Sequence, residues 1–172
     1  DPRLDSAAVQ CLLGIGARHA LDYALRCAEE LGRPLVVYEG LRIDYPWASR
    51  RHHRFVLEGM QANAARAAEL GLSYWPFVET EKGQGRGLLR RLSERACLVV
   101  TDDFPCFIVA PQAGALARKV EVPVFAVDSN SVVPLSLLGP AVSAAAHLRP
   151  RIHKAFAEAW PHRAAAKPRI TD

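Results

Sequence analysis

Short runs of consecutive apolar residues alternate along this chain with longer stretches whose apolar positions recur every three or four residues. Val9-Gln-Cys-Leu-Leu13 is the first run and closes on Gly14-Ile-Gly16. Leu21, Leu25, Ala28 and Leu31 then fall at helical spacing, and Gly32 stands where a helix C-cap belongs. Pro34 to Tyr38 reads as a second strand. A longer helix starts after Ser49, whose hydroxyl suits an N-cap, carries Val56, Met60, Ala64 and Ala67 as its buried stripe, and stops at Gly71. Ser73 to Val78 is a third strand, and Pro76 assigns it to a sheet edge. Beyond the polar, glycine-rich loop Thr80–Gly87, the pattern predicts a short helix over Leu88–Arg95 and a strand over Cys97–Thr101. A helix over Gln112–Val120 and a last strand over Val122–Val127 follow.

Near-continuous apolar strands separated by helices predict an α/β fold. The expected form is a doubly wound, Rossmann-like parallel sheet of about five strands with right-handed connections and helices on both faces. After Asp128 the regularity ends. Ser129-Asn-Ser131 reads as a turn, and Val132–Leu138 is apolar but interrupted by Pro134. Ala141–Ala146 is low in complexity, and Arg149–Lys154 opens a short helix toward Trp160. Residues 1–148 are therefore expected to form the α/β domain, with 149–172 a helix and linker.

Composition narrows the picture modestly. The chain has 172 residues, half of them hydrophobic and 23% charged, the balance of one globular domain. Its formal charge is +4 and arginine outnumbers lysine, which permits contact with phosphate without establishing it. Cys11, Cys27, Cys97 and Cys106 form no Cys-x-x-Cys pair, and they read as reduced thiols of a cytoplasmic protein. No metal site is expected, because the adjacent His52 and His53 point in different directions on a helix. No signal peptide is legible at the start. The most lipid-like segment, Val132–Ala146, is broken by Pro134, Gly139 and Pro140 and falls short of the roughly 20 apolar residues a spanning helix needs. A first residue of Asp1 suggests a processed or excised piece.

Candidate chemistry collects in loops expected at the carboxyl ends of the strands, where open parallel sheets bind ligands. Gly14-Ile-Gly16-Ala-Arg18 is either a tight turn or a close backbone approach to a ligand, with Arg18 supplying charge. Glu39-Gly40-Leu41 leads into the junction Tyr45-Pro-Trp-Ala-Ser49, which is followed by Arg50, Arg51 and Arg54. Asp102 and Asp103 precede Phe104, Pro105 and Cys106. Those carboxylates either cap the turn or accept hydrogen bonds from a polar heterocycle that an aromatic ring stacks upon. Asp128-Ser-Asn130 is open in the same way. No nucleophile elbow, phosphate-binding P-loop or His-Glu-x-x-His helix is present, so no catalytic residue is assigned.

Several of these motifs occur together in one family. Ala20-Leu-Asp-Tyr-Ala-Leu25, Arg33-Pro-Leu-Val-Val37, Tyr45-Pro-Trp-Ala-Ser49 with His52-His-Arg-Phe-Val-Leu57, and Val100-Thr-Asp-Asp-Phe-Pro-Cys106 appear in that order. With Val127–Pro134 and Arg149–His153 they resemble the N-terminal α/β domain of the DNA photolyase/cryptochrome family, in particular the class II-like bacterial deoxyribodipyrimidine photolyases. The resemblance implies the antenna-carrying part of a light-driven DNA repair flavoprotein, a carbon–carbon lyase acting on cyclobutane pyrimidine dimers. It implies an antenna chromophore, 8-hydroxy-5-deazaflavin or methenyltetrahydrofolate, and places FAD and catalysis in a helical C-terminal domain, which is expected to lie outside this sequence. That FAD-binding domain, in the same parent chain or separate, is the partner implied; DNA contact is at most weak and no membrane is involved. The implied chromophore cleft gathers Gly16, Arg18, Glu39, Gly40, Leu41, Asp102, Asp103, Phe104 and Cys106. The chain departs from the class II pattern after Asp103, where Phe-Pro-Cys-Phe-Ile108 lacks the usual arginine. Two other roles fit the same architecture: a stand-alone nucleotide-binding module resembling universal stress proteins, and a protein-interaction domain that binds no small molecule.

Overall fold

The computed structural model describes residues 7–11, 19–106 and 110–163, the first of these stretches by its backbone alone. Five strands, β1 (Ala7–Cys11), β2 (Leu35–Leu41), β3 (Ser73–Val78), β4 (Ala96–Asp102) and β5 (Val124–Val127), form one sheet in the order β3-β2-β1-β4-β5. Every pairing is parallel, with Gln10 opposite both Val37 and Val100, and Thr101 opposite Ala126. The helices between them are α1 (His19–Leu31), α2 (Arg50–Glu69), α3 (Leu88–Ser93) and α4 (Gln112–Ala117). The first strand lies two residues earlier than the apolar run implied, and Leu12 and Leu13 fall outside the described residues.

Two-sided burial explains the composition of the central strands. Leu35 and Val37 of β2 join Leu98 and Val100 of β4 beneath Ala20, Leu21, Ala24 and Ala28 of α1 and Ala67 of α2. Their alternates, Tyr38 and Val99, face Leu88, Leu89 and Leu92 at α3 and Leu116 of α4. The chain steps one way from β1 to β3 and the other way from β4 to β5, so right-handed crossovers put α1 and α2 on one face and α3 and α4 on the other. The doubly wound α/β class expected from the pattern is the one found. Pro76 sits in β3, an edge strand, where a missing N–H leaves no ladder bond broken on the outer side.

Local signals set the helix ends. Ser49 is extended, and its Oγ accepts the His52 amide at 3.3 Å. Gly32 and Gly71 take φ of +61° and +67°, a region costly for side chains with a Cβ. The following amides, of Arg33 and Leu72, close back onto Ala28 and Ala67 carbonyls at 2.9 Å.

The segment after β5 differs from its sequence reading. The helix expected to open at Arg149 begins earlier, as α5 (Ala145–Ala159), because the alanine run before it is helix-compatible. Pro150 lies inside α5 near its N-terminal end, where it costs one hydrogen bond without ending the helix. Val133, Ala155 and Ala159 form a small separate core with Leu138 and Ile152. Arg151 clamps the unit by donating to the Leu138 and Pro140 carbonyls at 2.9 and 2.6 Å. Val132–Ala146 is thus only partly exposed, since Val133 is buried. Cys97, within the apolar run of β4, is exposed.

Replacing Ser49 with alanine removes the side-chain cap of α2. A loss of about 1 kcal/mol in urea unfolding is expected, and an unchanged midpoint would mean that water caps this end equally well.

Candidate functional site

Strand order reverses at β1, which has β2 on one side and β4 on the other. The crevice of a doubly wound sheet therefore opens at the carboxyl ends of β1 and β4. Gly16 and Arg18 follow β1 and lie outside the described residues. On the β4 side Asp102 is buried, on the same sheet face as Leu98 and Val100, whereas Asp103 and Cys106 are exposed and Phe104 is half-buried. Asp103 donates its amide to Val127 O at 2.8 Å, and its carbonyl accepts Asn130 Nδ2 at 2.7 Å. Its main chain is fully used by the fold, and its side chain points to solvent as the group available to a ligand.

The loop after β5 is more than a turn. Asp128 Oδ1 accepts the Asn130 amide at 3.1 Å and Oδ2 the Leu135 amide at 2.8 Å. Ser129 Oγ accepts the Ala20 amide at 3.0 Å and so binds this loop to the first turn of α1. Asp128, Ser129 and Asn130 therefore stitch together the ends of β4 and β5, the start of α1 and the segment leading to α5. No single position in the sequence announces this, because the partners lie up to 109 residues apart.

Glu39, Gly40 and Leu41 stand at the end of β2, separated from the β4 group by β1, a gap of roughly 10 Å at ordinary strand spacing. The buried Glu39 carboxylate faces α2, where Oε2 accepts the Tyr74 hydroxyl at 2.6 Å and Asn63 Nδ2 at 2.9 Å. Burial, then the hydrogen bond to Glu39 and its charge, push the Tyr74 phenol far above its ordinary value and keep it a donor. At Gly40 a Cβ would lie 2.6 Å from the Tyr38 hydroxyl, so glycine is required for that ring to lie across the strand. Leu41 is buried core. The structure thus brings Asp102, Asp103, Phe104 and Cys106 together and holds Glu39, Gly40 and Leu41 apart from them.

Two features escaped the sequence reading. Glu79, 2% exposed, follows the edge strand and accepts the Ile43 and Gly85 amides, each at 3.2 Å. The Gly85 amide foremost, and then that of Ile43, hold its carboxyl below the usual range. Glu79 is therefore the clasp of the glycine-rich loop; a carboxylate directly before such a loop was the available signal. The second is a groove of about 990 Å³ between α1 and the α5 unit, with His19, Asp22, Arg26, Val127, Glu158 and Arg163 among its lining. It stayed hidden because the α5 unit's packing is not legible in local pattern.

Among the described residues no group of three or more His, Cys, Asp or Glu side chains gathers as a metal site requires. No helix among them is long and apolar enough to cross a membrane. Among the described residues, the end of β4 offers an exposed Asp103 carboxylate beside the half-buried Phe104 ring.

The fold defines a layered, doubly wound α/β domain, and comparison with known proteins sharpens this. Over 117 residues, 68% of the chain, it is 32% identical to the deoxyribodipyrimidine photo-lyase of Methanothermobacter thermautotrophicus. It therefore contains a photolyase-like region, and it spans about a quarter of that relative's length (25%). No protein-family model matches the chain. Among solved structures, a universal stress protein from Archaeoglobus fulgidus superposes with a TM-score of 0.50 at 15% identity, covering 72% of this chain and 93% of its own. A universal stress family protein from Burkholderia pseudomallei does so at 0.46 and 26% identity, covering 73% and 98%. The Archaeoglobus likeness shows the fold alone.

Exchanging Glu79 for glutamine should speed amide exchange at Ile43 and Gly85 at neutral pH. Its lowered folded pKa makes the clasp complete above the ordinary carboxylate value of about 4.3, and the clasp is lost as pH falls through that lowered value. Wild type and Glu79→Gln should therefore converge in strong acid. Equal exchange at neutral pH would show that Glu79 does not hold the loop.

Proposed function

We propose that this chain is the antenna-carrying α/β part of a photolyase-type, light-driven DNA repair flavoprotein. The observation that carries the reading is the 32% identity to a deoxyribodipyrimidine photo-lyase over 117 residues. The doubly wound sheet, with its crevice at the β1–β4 reversal, supports it. The residues at the end of β4 fit a planar heterocycle such as 8-hydroxy-5-deazaflavin or methenyltetrahydrofolate. Asp103 offers a carboxylate to ring N–H or O–H donors, Phe104 a face for stacking and Cys106 a small apolar wall. Glu39 does not fit that role, because both of its hydrogen bonds are spent within the core. A bound chromophore of this kind supplies light absorption and passes excitation to a flavin. The chain's own residues fix its orientation and exclude water from one ring face. FAD and the repair chemistry belong, in this reading, to a helical partner region, and DNA contact by this chain is weak.

The nucleotide-binding alternative shares the fold but is less favoured by the site. A phosphate seated against the loop after β5 would meet the Asp128 carboxylate, and Ser129 and Asn130 are already bonded to Ala20 and Asp103.

Titration with each chromophore, followed by absorption, tests the proposal. A shifted, structured band is expected, with affinity about tenfold weaker in Asp103→Ala, the value of one charge-assisted hydrogen bond. No spectral change with either chromophore, together with calorimetric binding of ATP or AMP, would overturn it in favour of the nucleotide module.

A further inference from the structure

The turn Tyr45-Pro46-Trp47-Ala48 is closed by the Ala48 amide on the Tyr45 carbonyl at 3.0 Å. Pro46 occupies its second position and Trp47, at φ +63°, its third. A turn of that kind ordinarily takes glycine at the third position, so tryptophan there holds a strained backbone. Its indole is nevertheless 73% exposed. One turn into α2, Phe55 is 77% exposed, and Leu57 is exposed beyond it. Between Trp47 and Phe55 in the sequence stand Arg50 and Arg51, both exposed and without an ion pair among the described residues, while Arg54 is paired with Glu58 at 2.8 Å. The first turn of α2 carries no acidic residue.

We propose that this aromatic and arginine surface, Trp47 to Phe55, docks an acidic protein surface bearing apolar side chains. Trp and Arg are the residue types that dominate interface energetics when a partner buries them. Unpaired cations beside exposed rings call for a partner with carboxylates around an apolar pocket. Nucleic acid is the poorer match. Two unpaired arginines neutralise too few phosphates to hold a polyanion by counterion release, and Glu58 adds a carboxylate to the same surface. This surface follows β2 and uses none of the residues at the end of β4 on which the chromophore reading rests, so the two are tested separately.

A copolymer of glutamate and tyrosine serves as the partner mimic, with polyglutamate, oligothymidylate and phosphatidylserine vesicles for comparison, each followed by tryptophan emission and fluorescence anisotropy. The Glu–Tyr copolymer should bind best and weaken with added salt. Trp47→Ala should cost about thirtyfold in affinity, and the pair Arg50→Glu with Arg51→Glu at least about tenfold. All three positions are exposed, and circular dichroism checks that the variants stay folded. Copolymer binding that ignores these substitutions overturns the proposal. So does stronger binding to oligothymidylate or vesicles, which would make this a nucleic-acid or membrane surface.

Discussion

A parallel sheet that must be dry on both faces governs this molecule. β2 and β4 can be central only because Leu35–Tyr38 and Leu98–Val100 are apolar on consecutive residues, which satisfies α1 and α2 above and α3 and α4 below. That condition relaxes on the edge strands β3 and β5, no residue of which is buried, and at the carboxyl ends of the strands. Three buried carboxylates, Glu39, Glu79 and Asp102, lie there, at or just after the ends of β2, β3 and β4. Burial of a charge is costly unless it is bonded, and two of the three show how that cost is met. Glu39 takes the Tyr74 hydroxyl and the Asn63 amide group, and Glu79 takes the amides of two loops. Polar side chains at this sheet edge therefore do structural work first, and only those left facing solvent, such as Asp103, are available to a ligand.

The loop Asp128-Ser129-Asn130 extends the same logic beyond the sheet. By binding the start of α1 and the end of β4, it ties these two elements together with hydrogen bonds. It also anchors the α5 unit, whose small core of Val133, Ala155 and Ala159 is separate from the main one. The groove between α1 and α5 is a consequence of that separation. Two packing units joined by a hydrogen-bonded hub leave a cleft that neither fills.

Similarity to a photo-lyase and likeness to a universal stress protein are compatible findings, because they concern different levels. The first is a sequence relation over 117 residues; the second is a shared architecture at 15% identity, which many unrelated functions can occupy. Function therefore has to be argued from the site rather than from the architecture.

The sequence alone determined the elements and their class. Apolar runs, helical spacing, Ser49, Gly32, Gly71 and Pro76 each act over a few residues, so strand count, helix ends and the edge position of β3 were legible from local pattern. The ordered motifs also carried the photolyase resemblance. Tertiary structure alone decided which carboxylates are spent. Glu39 and Asp103 look alike as acidic residues near strand ends. Only side-chain alternation and the approach of Tyr74 and Asn63, from 35 and 24 residues away, turn Glu39 into the core while Asp103 faces outward. The Glu79 clasp and the Ser129 tie were likewise decided by contacts between segments distant in sequence, because pairing over such separations leaves no trace in local pattern.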